Sequence, residues 1–282
     1  MPLVSIVVRS KNDMRYIEQT LNAIQRQSFS DFELICADSG STDGTLEIIK
    51  GFAPKHIMKI PPEEYIPGKV LNDAVQLCSG KIIVFNNSDC IPQGMNWLTN
   101  LTAPLLDAER KNTVAVFCDQ HPRPEARPLV RKDHVRAFGD GTVSAGWQHF
   151  FSLASSAILT ELLLHNPFDE TLQYSEDVEW SLRMKKLGYC IDYIPEAHVE
   201  HSHNYSLQEV WTRFYNEGLA EGRIYRSAPA FFKDFIMPCT AELLRDWKFL
   251  LSHFRIDHIP YGLVYRLLQR FAMWKGRRDY FK

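Results

Sequence analysis

The fold is decided by the stretch Leu3-Val4-Ser5-Ile6-Val7-Val8, which runs directly into the polar residues Arg9-Ser10-Lys11-Asn12-Asp13. A short apolar run bounded by polar residues is typical of a strand that is buried on both faces of a sheet. Apolar residues then recur every three or four positions between Tyr16 and Gln27, which predicts an amphipathic helix. The chain therefore opens with a strand followed by a helix.

The same alternation continues downstream. Phe32–Ala37 and Lys81–Phe85 are predicted strands, and Gly44–Phe52 and Lys69–Cys78 are predicted helices. Alternating units of this kind predict an α/β fold, with a mostly parallel central sheet flanked by helices. Further strands are expected at 113–118 and 190–194, with a long loop at 119–134 that acts as a lid or contacts an acceptor.

Polar clusters follow three of the predicted strands. They are Arg9–Asp13, Asp38–Asp43 and Asn86–Asp89. Ligands of parallel α/β sheets bind beyond the carboxyl ends of the strands, where these clusters are expected to converge. The sequence therefore locates a binding site at this edge of the sheet.

Composition limits the classes of partner and compartment. The 282 residues include 32 Lys and Arg against 34 Asp and Glu, so the formal charge of -2 does not call for nucleic acid. The six cysteines are scattered singly, which favours a reducing cytosol. No signal segment and no run of ~20 apolar residues is evident, so we expect a cytoplasmic protein, soluble or peripheral at the inner face of the plasma membrane.

The loop Asp38-Ser39-Gly40-Ser41-Thr42-Asp43-Gly44-Thr45 suits a nucleotide, because it offers hydroxyls, carboxylates and backbone N–H groups at a helix start. A capped turn explains the same residues. Asp89, at the end of a later strand, is the candidate ligand for a divalent ion that bridges phosphates; its alternative is an ordinary turn residue.

A second acidic motif and three histidines complete the chemistry. Asp177 lies beside Glu176 at a predicted helix start, where it is placed either to deprotonate a hydroxyl or to complement the helix dipole. His198, His201 and His203 follow the last predicted strand, and the alternate residues 201 and 203 are expected to face phosphate or metal together, or else to be solvated.

Taken together, the motifs resemble those of family 2 glycosyltransferases, whose members share the nucleotide-sugar-binding GT-A fold. The resemblance covers roughly residues 3–204 and depends on the order of its motifs. These are Ser5–Asn12, Gln27–Leu34, Asp38–Thr45, Gly68–Asn72, Ser79–Lys81, Asn87–Asp89, Phe168–Glu170, Ser175–Asp177, Arg183, Gly188–Tyr189 and His201.

By this resemblance, Asp38 contacts the nucleobase, Asp89 is the metal ligand of the DxD motif and Asp177 is the catalytic base. His201 lies near the metal, Mn²⁺ or Mg²⁺, and the diphosphate. The nucleotide-binding residues it implies are Ser10, Asn12, Asp43, Lys69, Asn72 and Ser88. Those predicted on the acceptor side are Glu176, Trp180 and Trp147.

Two departures from the family pattern refine the expectation. Asn87 stands at the first acidic position of DxD, which weakens the ribose and metal contacts on that side. The QxxRW motif of processive members is absent, which favours a single sugar addition. The stretch from His201 to Ser206, with Trp211 and Tyr215 beyond it, is similar to rhamnosyltransferase-type members that build bacterial surface polysaccharides.

The resemblance implies an inverting, non-processive glycosyltransferase that passes a sugar from a UDP- or dTDP-sugar to a hydroxyl of a glycan or lipid-linked glycan. Residues 1–204 are expected to form the GT-A domain, with a nucleotide-binding half at 1–105 and an acceptor half at 106–204. A non-catalytic nucleotide-sugar-binding subunit and a sugar-phosphate nucleotidyltransferase are the alternatives, although the loop after the first strand lacks the glycines of the latter.

Residues 205–282 are expected to form a helical C-terminal region. From Leu243 onward, nine basic residues stand against three acidic ones, and aromatic residues such as Trp247 and Phe254 are interleaved with them. Basic, aromatic helices of this kind bind anionic membrane surfaces. The alternative is that the aromatic faces pack on the catalytic domain or on a second copy of the chain.

Overall fold

The computed structural model describes residues 1–147 and 150–282 and confirms the predicted α/β class. The strands are β1 (Val4–Ser10), β2 (Phe32–Asp38), β3 (His56–Lys59), β4 (Ile82–Asn87), β5 (Ile91–Pro92), β6 (Thr113–His121), β7 (Ser155–Leu159) and β8 (Cys190–Glu200). The α-helices are α1 (Ile17–Gln25), α2 (Thr45–Gly51), α3 (Pro67–Leu77), α4 (Trp97–Leu106), α5 (Pro128–Ala137), α6 (Thr142–Ala145), α7 (Thr160–His165), α8 (Glu176–Lys186), α9 (Leu207–Tyr225), α10 (Met237–Ser252) and α11 (Ile259–Asp279). Short 3₁₀ turns at Pro62–Glu64 and Ile256–His258 and a π-helical turn at Phe232–Ile236 lie between them.

In the described part of the chain, eight strands form one sheet in the order β3-β2-β1-β4-β7-β6-β8-β5. β1 pairs in parallel with both β2 and β4, and β6 pairs in parallel with β8. β7 runs antiparallel to β4 and β6, and β5 runs antiparallel to β8. The sheet is therefore mostly parallel, as predicted.

The apolar run of β1 is buried on both faces of the sheet. Ile6 and Val8 join one core cluster with the inner faces of α1 and α4, whereas Val7 joins another with α3 and α8. Because a strand projects alternate side chains to opposite faces, only a continuous apolar run can supply both cores. This double burial is the physical reason for the opening sequence.

The prediction of a long loop at 119–134 is wrong. Asp119–His121 extend β6 by pairing with residues 198–200 of β8, and α5 occupies much of the remaining segment. The basic residues that suggested a loop include Lys132, which is buried and contacts the carboxylate of Asp246. Long-range pairing therefore orders a segment whose local composition is typical of a surface loop.

The chain divides into two compact units. One comprises Met1–His121, Arg136–Thr171 and Glu176–His201 and contains the sheet. The other consists of residues 122–135, 172–175 and 202–282, and its long helices form the C-terminal helical region predicted from sequence.

Within the second unit, α9 and α11 approach each other closely. A Cβ atom added at Gly218 would collide with the backbone of Met273, and one added at Gly276 would collide with the backbone of Tyr215. Glycine at these two positions therefore permits the helix pair to pack. No helix among the described residues combines the length and apolar character that crossing a bilayer demands.

Candidate active site

The ends of β1, β2 and β4 meet at one edge of the sheet, as the polar clusters predicted. Ser10 Oγ donates to Asp38 Oδ2 at 3.0 Å, which joins the ends of β1 and β2. Ser88 Oγ donates to Asp13, which joins the segment after β4 to the segment after β1. The predicted convergence of the three clusters is therefore confirmed.

Asp38 organises the loop after β2. It is 2% exposed, and it accepts hydrogen bonds from the backbone N–H of Ser41 at 2.9 Å and from Ser41 Oγ at 2.6 Å. Asn12 has a positive φ of 56°, and its Oδ1 accepts from the backbone N–H of Thr42 at 2.8 Å. These contacts hold the two loops together, and contact with a nucleobase stays a prediction for Asp38.

Asp43 supports the start of α2. Its carboxylate accepts from the backbone N–H groups of Thr45 and Met14, both at 3.0 Å. Carboxylates near a helix start are stabilised by the helix dipole and by free N–H groups. The loop from Asp38 to Thr45 thus presents a rigid, preorganised surface at the sheet edge.

Asp89 and His201 lie side by side in the fold although they are far apart in sequence. His201 Nε2 is 3.5 Å from Asp89 Oδ2, and their side chains are 12% and 8% exposed. His201 Nδ1 lies 2.8 Å from the amide oxygen of Gln120, which only accepts hydrogen bonds, so we assign the proton to Nδ1. In the neutral imidazole, Nε2 then points its lone pair at a carboxylate oxygen.

This pair fits a divalent cation. Two lone-pair donors that face each other repel unless a proton or a metal lies between them, and imidazole with carboxylate is a common donor set for such ions. Cys90 Sγ lies within the same cluster, in which the ligand atoms are all within 4.8 Å of one another. Gln120 fixes the orientation of the imidazole ring, as hydrogen-bonded neighbours of metal ligands do.

Arg9 belongs to a polar cluster that the sequence placed at the site, but no individual role was predicted for it. Its guanidinium donates to Asn87 Oδ1 at 3.1 Å and lies 3.4 Å from Glu176 Oε1, and its side chain is 16% exposed. It therefore joins Asn87, at the end of β4, to the helix α8 that carries Asp177. The available signal was a cation that directly ends a fully buried strand.

Asp177 lies in the first turn of α8. Its Oδ1 accepts from the backbone N–H of Val178 at 2.8 Å. Burial of the carboxylate, together with the neighbouring charge of Glu176, raises the pKa of Asp177 to about 7. A carboxylate with a pKa close to neutral is well matched to accept a proton from a hydroxyl.

Two of the predicted acceptor contacts need correction. Trp180 is 0% exposed, and its indole N–H donates to the backbone oxygen of Asn166 at 2.8 Å, so it is a core residue. Glu176 directs its carboxylate to Arg9, so it supports the site from within. Trp147 is partly exposed and packs against Phe150, with their ring centroids 5.2 Å apart, and its contact with an acceptor stays a prediction.

The three histidines after the last predicted strand each make identifiable contacts. His203 stacks on the ring of Tyr205 at 5.0 Å between centroids, whereas His201 contacts Asp89 and Gln120. His198 Nδ1 lies 3.3 Å from Asp119 Oδ2. Joint action of residues 201 and 203 on phosphate or metal stays a prediction.

Lys69 and Asn72 differ in how the fold uses them. Lys69 is partly exposed and pairs with Asp73 at 2.5 Å, which leaves its nucleotide role a prediction. Asn72 uses both ends of its amide within the chain. Its Oδ1 accepts from the Phe168 N–H at 3.0 Å, and its Nδ2 donates to the Phe168 carbonyl at 3.0 Å and to Glu170 at 2.9 Å. We therefore correct Asn72 to a structural residue.

Replacing Asn72 by alanine tests this correction. We expect the free energy of unfolding to fall by about 1–3 kcal/mol, because the backbone groups of Phe168 lose their partners. The KM for the donor should change by less than about twofold. A tenfold change would correspond to about 1.4 kcal/mol of binding free energy. A large rise in donor KM at unchanged stability would restore the nucleotide-binding role.

Comparisons with known proteins identify the family of the chain. Residues 5–158 match glycosyl transferase family 2. The chain is 30% identical to the O-antigen chain rhamnosyltransferase WbaN of Salmonella anatum, over 98% of this chain and 88% of that one. It is 24% identical to the O-antigen chain rhamnosyltransferase RfbN of Salmonella typhimurium, over 97% of this chain and 88% of that one.

Solved structures resemble the fold. The mannosyltransferase PcManGT from Pyrobaculum calidifontis, in complex with GDP-Man and Mn²⁺, superposes with a TM-score of 0.64 at 20% identity, covering 94% of this chain and 73% of that one. Glucosyl-3-phosphoglycerate synthase from Mycobacterium tuberculosis, in complex with Mn²⁺, UDP and phosphoglyceric acid, gives a TM-score of 0.58 at 22% identity, covering 79% and 78%. The expected GT-A fold is confirmed, and the chain belongs to the glycosyltransferases of family 2.

Proposed function

We propose that this chain is an inverting, non-processive glycosyltransferase that moves one sugar from a nucleoside-diphosphate sugar to an acceptor hydroxyl. The observation that carries the proposal is the position of Asp177, whose pKa of about 7 suits a base, beside an arginine that also contacts the donor side of the site. The absence of the QxxRW motif from the sequence supports a single addition.

In the proposed reaction, Asp177 accepts the proton of the acceptor hydroxyl as its oxygen forms a bond to C1 of the donor sugar. The bond between C1 and the diphosphate oxygen breaks on the opposite side, and the nucleoside diphosphate leaves. One displacement inverts the configuration at C1. Glu176, paired with Arg9, contributes to the raised pKa of Asp177 while Val178 fixes the carboxylate.

The leaving diphosphate accumulates negative charge, which the site offsets in two ways. Arg9 provides a fixed guanidinium at the end of β1. A Mn²⁺ or Mg²⁺ ion held by Asp89 and His201 would supply further positive charge when bound. Ser88 supports this side by holding Asp13 next to the metal ligands.

The names of the relatives narrow the substrates within this proposal. Two relatives that share nearly the whole chain are O-antigen chain rhamnosyltransferases, so we propose rhamnose from a dTDP- or UDP-linked donor as the first candidate sugar. The acceptor is then a growing surface polysaccharide, as a glycan or a lipid-linked glycan. Trp147, partly exposed, remains the candidate aromatic contact for that glycan.

A product assay tests the proposal. The protein is incubated with dTDP- and UDP-sugars, Mn²⁺ or Mg²⁺, and a panel of glycan acceptors, and the anomeric configuration of each product is read by NMR. We expect one added sugar with the configuration opposite to that of the donor. Retained configuration would overturn inversion. Binding of donors by calorimetry without transfer to any acceptor would favour the non-catalytic subunit, which the neutral Asn87 also suggests.

A further inference from the structure

Helix α10 exposes an apolar stripe. Met237, Leu244, Trp247 and Leu251 are spaced by seven, three and four residues, which aligns them on one side of the helix, and each is exposed. The stripe continues into Phe254, directly beyond the end of α10, which is 90% exposed. Single exposed apolar residues are common, but an aligned series marks an interaction surface.

Charge is segregated across the same helix. The two acidic residues of α10, Glu242 and Asp246, lie on its buried side, 3% and 0% exposed. Asp246 contacts Lys132 and Arg266, the latter at 2.6 Å, so the acids are neutralised inside the unit. Lys248 is exposed and flanks the stripe on the side of Met237 and Leu244. The outward side of α10 is therefore apolar and cationic, without an acidic residue of that helix.

Phe254 occupies a position that folding alone would give to glycine. Its φ is +54°, in the left-handed region that bulky side chains rarely adopt. The N–H of Arg255 donates to the carbonyl of Leu250 at 2.8 Å, the six-to-one bond that closes a helix whose next residue is left-handed. A strained backbone thus holds a large ring in solvent, and neither core packing nor capping accounts for the aromatic side chain.

We propose that the outward face of α10, formed by Leu244, Trp247, Lys248, Leu251 and Phe254, binds the surface of an anionic lipid bilayer. Apolar and aromatic side chains enter the interface while the cation meets the lipid phosphates. A second copy of this chain fits less well, because in a twofold contact the same face, which carries no acidic residue of α10, would offer Lys248 no opposite charge. Beyond α10, the negative charge of Asp257 is neutralised by Arg255, whose Nε lies 3.5 Å from its carboxylate.

This inference extends the proposed function, since a lipid-linked acceptor lies at such a surface, but bilayer binding is measured without any sugar transfer. The full chain is mixed with vesicles of phosphatidylglycerol and phosphatidylcholine, and the bound fraction is measured by flotation. We expect binding to rise with the phosphatidylglycerol fraction and to weaken in high salt, because each basic residue near the surface contributes electrostatically.

The decisive variant is Phe254→Gly. Glycine adopts the left-handed backbone without strain, so we expect the melting temperature to be unchanged or higher. Vesicle affinity should nevertheless fall by at least about tenfold, because a large aromatic side chain leaves the interface. Leu187→Ala removes a leucine of the other unit that is exposed to the same extent as Leu244 and Leu251, and it should bind vesicles as the wild type does.

Two outcomes would overturn the inference. One is equal flotation of wild type and Phe254→Gly. The other is a concentration-dependent dimer in sedimentation velocity that Phe254→Gly dissociates, which would assign the face to a second copy.

The variant Lys248→Glu separates the electrostatic from the apolar contribution to binding. It should weaken binding to anionic vesicles and leave weak binding to neutral vesicles unchanged. Transfer to a water-soluble acceptor should be the same in all four proteins, so a failed transferase assay would not affect the vesicle result.

Discussion

Asp177→Asn should lower kcat by about 10²–10⁴-fold, the range that a positioned general base contributes. Asparagine keeps the shape of the side chain and its hydrogen bond from Val178, but it cannot accept the proton of the hydroxyl. Donor affinity should change little, because the proposed donor contacts lie on other elements. Single-turnover kinetics with saturating donor separate the loss in chemistry from any loss in binding.

The pH profile gives this prediction a second readout. Since the base acts in its ionised form and its pKa in the free protein is about 7, wild-type kcat/KM should rise with pH through that value and level off above it. In Asp177→Asn the residual rate should no longer rise with pH around pH 7. Glu179→Gln is the matched control on the same helix: Glu179 pairs with Arg183 at 3.0 Å, and its loss should leave both rate and profile nearly intact.

Stability measurements on the same variant exclude an unfolding artefact. A carboxyl whose folded-state pKa is raised contributes its full stability below the unfolded pKa and loses it as pH rises through the folded pKa. Ionised Asp177 therefore destabilises the fold above about pH 7, by up to ~4 kcal/mol from the size of the shift. Asp177→Asn should melt higher than the wild type at alkaline pH and lose that advantage in acid. A variant that keeps most of its turnover would contradict the role of Asp177.

The opening strand shows why the architecture was predictable from sequence. The run from Val4 to Val8 has to be apolar on both faces, so its local pattern already contains the information that it lies inside a sheet. The convergence of the polar clusters followed from the same logic, because the carboxyl ends of parallel strands share one edge. The positions of regular strands and helices, and of their ends, are encoded in the local sequence and can therefore be predicted from it.

Roles that depend on distant partners were not predictable in the same way. Asn72 was read as a nucleotide ligand, but its amide meets Phe168, 96 residues away. Trp180 belongs to the apolar face of α8, which only packing against Phe151 and Phe168 reveals. The role of Arg9 could not be predicted because it depends on Glu176, 167 residues away. Polar side chains in a family motif can serve substrate or fold, and only three-dimensional contacts distinguish the two.

Metal dependence is the second large effect we expect. Removal of divalent ions with EDTA should lower transfer by about 10²-fold or more, because a cation that offsets charge on the leaving diphosphate supplies several kcal/mol. Mn²⁺ or Mg²⁺ should restore activity to the wild type but not to Asp89→Asn, which keeps the size of the side chain while removing its charge. His201→Gln should show a weaker defect that higher metal concentrations relieve, since one carboxylate ligand remains.

The chain offers a matched control for this experiment in a second histidine that contacts an aspartate. His198, on β8, lies 3.3 Å from Asp119 on β6, whereas His201 directly follows β8 and contacts Gln120 on β6. In extended strands, neighbouring residues point to opposite faces, so Asp119 and Gln120 do not share one. His198→Gln should therefore leave the metal titration of the wild type unchanged. Full activity in EDTA would show that Arg9, beside the neutral Asn87, suffices to offset the charge of the leaving group, and it would exclude a catalytic ion at Asp89 and His201.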